Sequence, residues 1–267
     1  MISLPNQPKI VNKEGSKAIF EIDSLYPGYG VTVGNSMRRV LFSSLEGAAV
    51  TQMKISGVSH EFSAIPGIQE DTVTLMLNLK NLRFRVFSDE PQKGRLHLKG
   101  EKDAKGSDFE LPSQVELINK DCHIAALTSK SSDLDVEITI EKGVGYSPRE
   151  ARGKEKLEIG VIPLDAIFTP IKGVSFKVEN MRVGERTDFD KLFLEIETDG
   201  TITPEFAFLR SSQILVDHFA LLGETFKEEK ENKEVLVDLP KTQNSDKKKT
   251  DSVKKQKYEK KEKRKKA

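Results

Sequence analysis

The stretch Gly34-Asn35-Ser36-Met37-Arg38-Arg39-Val40-Leu41-Phe42-Ser43-Ser44-Leu45-Glu46-Gly47 carries an amphipathic helix straight after a glycine-rich turn. At about 100° per residue, Met37, Val40, Leu41, Ser44 and Leu45 fall on one stripe, the pattern of a helix buried along one side. Arg39 then points nearly opposite, and Phe42 falls off the stripe's centre toward the side of Arg38. The helix therefore offers a guanidinium and an aromatic ring to something other than its own core. Asn35 is the expected N-cap, its side chain accepting an otherwise unpaired backbone N–H, and Glu46-Gly47 the expected end.

On either side of this helix the chain reads as strands. Ala18, Phe20 and Ile22 alternate with Lys17, Glu21 and Asp23, the period-2 signature of a strand with one buried face, and Leu134 to Glu141 and Lys191 to Thr198 read likewise. Phe87 to Ser113, rich in Gly, Asp, Lys and Pro, is expected to form hairpins and loops rather than core. Two helical segments among predominating strands give an α+β class.

The second helix starts at Thr203-Pro204, a cap residue followed by proline at the first helical position, and is expected to run to about Phe226. Phe208, Leu215, Phe219 and Leu222 make one stripe, while Leu209, Ile214, Val216, Ala220 and Leu221 spread apolar surface round most of the circumference. Such a helix needs cover on more than one side. The chain's own sheet supplies one cover and a second copy the other, which predicts an isologous homodimer burying on the order of 2,000 Å² or more.

A chain of 267 residues is long enough to bury a substantial core without staples. Its single cysteine, Cys122, cannot form an internal disulfide, and four scattered histidines, His60, His97, His123 and His218, give a structural metal site too few ligands. No stretch approaches the ~20 apolar residues of a membrane span, so a cytoplasmic protein without membrane contact is expected. The net charge of +1 hides an asymmetry. From Lys241 to Ala267 there are twelve Lys and one Arg against two Asp and two Glu, a net +9 that leaves the remainder at −8. That tail lacks the apolar residues that offset folding entropy, so residues 230–267 are expected to form a linker and a disordered basic tail.

Few residues in the sequence are arranged for chemistry. Gly28, Gly30 and Gly34 have the wrong spacing for a phosphate loop and read as a strand-to-helix turn. Of the two D-x-D pairs, Asp133/Asp135 opens an alternating strand, and Asp188/Asp190 sits among cations that suggest surface pairing. Cys122 and His123 are adjacent, and neighbours on a strand face opposite ways. No catalytic residue, metal site or cofactor is expected in this chain. The tail leaves a second reading, a free-standing homodimer that binds nucleic acid non-specifically through phosphate contacts. A third would make Asp188 and Asp190 the metal ligands of a small nucleotidyltransferase.

Beyond these patterns, Tyr26-Pro27-Gly28-Tyr29-Gly30, Gly34 through Ser44, Gly67-Ile68-Gln69-Glu70-Asp71, Leu77-Asn78-Leu79-Lys80, Gly143-Val144-Gly145-Tyr146, Arg186-Thr187-Asp188-Phe189-Asp190-Lys191-Leu192 and Glu195 through Thr203 resemble, in order, the alpha subunit of bacterial and plastid RNA polymerases. The resemblance covers most of residues 15 to 226. It implies a dimerisation subdomain of mixed α/β structure with two main helices, residues 1–46 and 174–229, interrupted by an inserted β-rich subdomain, residues 47–173. It also implies a homodimer on which the beta and beta-prime subunits assemble, one protomer mainly engaging each, with omega in the complex and DNA met through the assembled enzyme. The family's large-subunit contacts fall here on Arg39, Phe42 and Lys80. Its dimer packs the two helices across the two-fold axis, where the stripe of Phe208, Leu215, Phe219 and Leu222 read above is expected to form the interface. A bacterial cytoplasm is expected rather than a plastid stroma. Val31 stands where the family has histidine. The chain runs into lysines where the family has a second small helical domain, which leaves open how promoter-selective and activator contacts are made; a weak, sequence-independent attraction of DNA to the basic tail is the alternative.

Overall fold

The computed structural model describes residues 2–152, 158 and 160–235. In chain order the first half runs β1 (Lys9–Glu14), β2 (Lys17–Leu25), α1 (Tyr29–Ser43), β3 (Glu46–Ile55), α2 (Thr72–Lys80), β4 (Phe84–Val86), β5 (Gln92–Lys99), β6 (Lys102–Lys105), β7 (Val115–Leu117) and β8 (His123–Leu127). The second half runs β9 (Asp133–Val144), β10 (Tyr146–Ser147), α3 (Arg149–Arg152), β11 (Val161–Pro163), β12 (Ala166–Ile167), β13 (Ile171–Val183), β14 (Arg186–Thr198) and α4 (Pro204–Val235). Strands predominate, and the class is α+β. Residues 1–218 form one compact unit, and a second begins at Phe219 with the continuation of α4.

Two main sheets organise the first unit. One is four-stranded and antiparallel in the order β1-β2-β14-β13, joining the two ends of the unit. Its buried face alternates along β2 as Ala18, Phe20 and Ile22 and along β14 as Leu192, Leu194 and Ile196, and it packs on α1 and the start of α4. Lys13 on β1 pairs with Glu205 on α4. The other sheet runs β5-β9-β3-β4-β7, with β11 also on β3. It has its own core, where Leu75, Leu79, Phe84, Leu96, Ile124 and Ile138 are almost completely buried. The chain passes between the sheets twice, at Ser44–Gly47 and Phe168–Ile171. These crossings touch: a Cβ on Gly47 would lie 1.8 Å from the Phe168 carbonyl oxygen.

Several expectations need correction. α1 starts at Tyr29 behind Gly28, whose φ of 84° only glycine holds without strain, so Asn35 lies inside the helix rather than at its cap. Gly30 and Gly34 belong to that helix, not to a turn. A Cβ at either would come within 2.7 Å of Val178 or Phe176, so their bareness lets α1 lie close on β13. A third helix of nine residues, α2, was not anticipated; the Asp71 side chain caps it by accepting the Thr74 N–H at 2.8 Å. The stretch from Phe87 to Ser113 does enter the core, through Leu96, Ala104 and Phe109. Finally, α4 continues past Phe226, and past residue 229, to Val235. The Lys-rich segment 241–267 lies outside the described residues.

Candidate docking surface

On α1 the buried positions are Gly30, Gly34, Met37 and Leu41, which leaves Arg39 and Phe42 on the outward side. Arg38 is occupied, donating to Asn35 Oδ1 at 3.1 Å and lying over the Phe176 ring at 5.5 Å. Arg39, by contrast, pairs with no carboxylate among the described residues, and Phe42 is 39% exposed. An unpaired guanidinium and an exposed ring one turn apart suit a protein partner, since Arg and aromatic residues are enriched where partners bind tightly. Past the end of α1, Gly145 comes against the Ser43 carbonyl, with β10 pairing Tyr146 to Ile167 beside it. Tyr146 and Ile167 are both exposed, at 62% and 44%. Neither was read as a site residue; their exposure follows from a two-residue strand pair that periodicity cannot reveal.

Lys80 ends α2, where its Nζ lies 3.1 Å from Asp165. The Arg149 N–H and then Lys80 hold the Asp165 carboxyl below the ordinary carboxylate range. Arg149 continues the chain of charges to Glu61 at 2.7 Å. Lys80 thus enters any contact already paired, and no hydrogen bond or ion pair among the described residues joins it to Arg39.

The four stripe positions on α4 divide. Phe208 stacks on Phe20, ring centroids 4.7 Å apart, and Leu215 packs on the same core. Phe219 and Leu222 are about two-thirds exposed, as are Leu209 and Val216 on other sides of the helix.

The carboxylate pairs serve structural ends. Asp188 makes a bidentate pair with Arg186 on the surface, whereas Asp190 is buried and accepts the Gly30 N–H at 2.9 Å. It thereby places a carboxylate at the positive end of α1, which has no side-chain cap of its own. Asp135 makes a bidentate pair with Arg95, and Asp133 pairs with His97 and Lys99. His123 binds Glu70 at 2.7 Å, and burial pushes the Cys122 thiol up. Among the described residues no three His, Cys, Asp or Glu side chains gather as a metal cluster would, and no helix is long and apolar enough to cross a membrane.

A family model described as the RNA polymerase Rpb3/RpoA insert domain matches residues 53–169, most of the second sheet. The DNA-directed RNA polymerase subunit alpha of Symbiobacterium thermophilum is 46% identical over 212 residues, 79% of this chain and 67% of that one. The subunit of the same name from Carboxydothermus hydrogenoformans is 44% identical over 246 residues, 88% of this chain and 78% of that one. The chain belongs to the family of DNA-directed RNA polymerase alpha subunits. In this alpha subunit the insert carries Lys80, Asp165, Tyr146 and Ile167, while Arg39, Phe42 and α4 lie outside the matched residues.

Proposed function

We propose that this alpha subunit is the homodimeric platform on which the beta and beta-prime subunits of RNA polymerase assemble, with omega joining the complex. One protomer mainly engages beta and the other beta-prime. Catalysis and its metal ions belong to those larger chains, so this chain contributes no catalytic residue and needs no cofactor. It meets DNA through the assembled enzyme, in the cytoplasm. The observation that carries the reading is Arg39: a cation with no carboxylate partner among the described residues, beside the exposed Phe42, on a helix whose other side is fixed to the sheet. The exposed Phe219 and Leu222 on α4 support pairing with a second copy, because a symmetric contact would cover both sets at once. The test is co-purification with beta. Arg39→Ala should leave the dimer intact and weaken capture by about 2–5 kcal/mol, the cost of losing a charged hydrogen bond in an interface. Undiminished capture would reject the surface, and a folded monomer at micromolar concentration would reject the dimer.

A further inference from the structure

Two arginines of the insert hold the turn that leads into α4. Arg85, on β4, donates from both Nε (3.0 Å) and Nη2 (2.8 Å) to a single acceptor, the Thr201 carbonyl, while Glu116 steadies its Nη1 at 3.0 Å. Arg83 lies two residues earlier, on the same side of the extended chain, with the buried Phe84 between them. Its Nε is 3.7 Å from the carboxylate of Asp199, whose side chain is 6% exposed. The same carboxylate accepts from the Thr201 N–H at 2.9 Å and its hydroxyl at 2.5 Å, so the acid that Arg83 approaches also shapes the turn that Arg85 grips. Arg83 Nη1 reaches the other way, to the Lys80 carbonyl at 3.0 Å. One guanidinium therefore links the end of α2 to the turn before α4.

The covalent connection alone does not fix the angle between the sheets. The two chain crossings touch at Gly47 and Phe168, and a few residues at such a crossing can absorb a change of angle as a hinge does. Arg85 borders an open cleft, lined also by Ala48, Val86, Lys142 and Ile202, so its guanidinium spans a gap between the halves.

We propose that Arg83 and Arg85 are positioning residues for capture of the large subunits. They lock the insert against the α4 turn, so that Lys80 on one side of the hinge and Arg39 with Phe42 on the other are presented at one fixed spacing. This rests on the docking surface proposed above. Arginine is required at position 85 because a lysine ammonium cannot chelate one carbonyl with two planar N–H groups.

The test uses the full chain. Variants Arg83→Ala with Arg85→Ala, the milder Arg85→Lys, and Arg39→Ala are compared by light scattering, amide hydrogen exchange and capture of beta. The double variant should remain a dimer, exchange about tenfold faster at residues 44–47, 168–171 and 199–206, and lose capture about tenfold, as expected when the two hydrogen bonds to the Thr201 carbonyl and the Asp199 ion pair are lost. Arg85→Lys should move both readouts in the same direction by less, which keeps the result readable if the double variant folds poorly. Arg39→Ala should lose capture with unchanged exchange. If Arg39→Ala loses capture while both latch variants keep it, the positioning role is overturned and the docking surface stands. Lost capture with unchanged exchange in the latch variants would make the arginines direct contacts and overturn positioning equally. Capture retained by Arg39→Ala overturns the docking surface and this inference with it.

Discussion

Asp190, on β14, accepts the backbone N–H of Gly30 at 2.9 Å, joining residues 160 positions apart. The carboxylate satisfies one of the free N–H groups that begin α1 and opposes its dipole. Asp190→Ala should lower stability by about 1–3 kcal/mol, the cost of an unmet buried donor, and Asp190→Asn by less because its carbonyl still accepts. Urea denaturation of the two variants checks the order; equal losses would mean that packing, not the hydrogen bond, is what Asp190 supplies.

Gly34 sits mid-helix, where alanine ordinarily stabilises by roughly 0.5–1 kcal/mol. Here the new Cβ would lie 2.7 Å from a Phe176 ring carbon. Gly34→Ala should therefore destabilise, by about 1–3 kcal/mol, as overpacking does. A rise in melting temperature would refute the close approach of α1 to β13.

Phe208 and Phe219 share a stripe and should respond differently to truncation. Phe208→Ala removes a ring stacked on Phe20 and should cost the protomer about 3 kcal/mol. Phe219→Ser with Leu222→Ser should leave protomer stability within about 0.5 kcal/mol, as exposed substitutions do, while weakening the dimer. Light scattering across a dilution series, beside urea curves, separates the two effects.

Acid should unfold the insert through its paired carboxylates. Burial disfavours the charged form of Glu70, but the Ala126 N–H and His123 outweigh it and hold the carboxyl below its ordinary 4.5. Asp135 and Asp165 are also held low, by Arg95 and by the Arg149 N–H with Lys80. A group with a lower pKa folded than unfolded stabilises above the unfolded value, and that contribution is lost as pH falls through the folded one. Stability should therefore be flat above about pH 5 and fall below 4.5, and Glu70→Gln should flatten part of the fall. An unchanged acid limb in that variant would remove Glu70 from the explanation.

What the sequence disclosed, it disclosed through local pattern. The stripe on α1 and the alternation of β2, β9 and β14 are set by neighbours within a few residues, so they could be read directly, and with them the outward direction of Arg39 and Phe42. The start of α1 could not be read, because its carboxylate comes from Asp190 on a distant strand. In α2 the signal was present in the Asp71 cap and the Leu75/Leu79 spacing, but Thr72, Val73 and Thr74 are poor helix formers that mask it. In β5 the inward positions are Gly94 and Leu96, and a glycine in place of a hydrophobe erases the alternation. At the candidate site, the pairing of Lys80 with Asp165 and the split between Phe208 and Phe219 depend on where the sheets end, which no local period encodes.

The contact between Gly47 and Phe168 makes the insert's departure and return a single graft point on the first sheet. Everything strung between them can be lengthened, trimmed or exchanged with little change in the distance the flanking strands must bridge. A module joined in this way can change its outer loops to suit a changing neighbour, while the four strands and two helices beneath it keep their register.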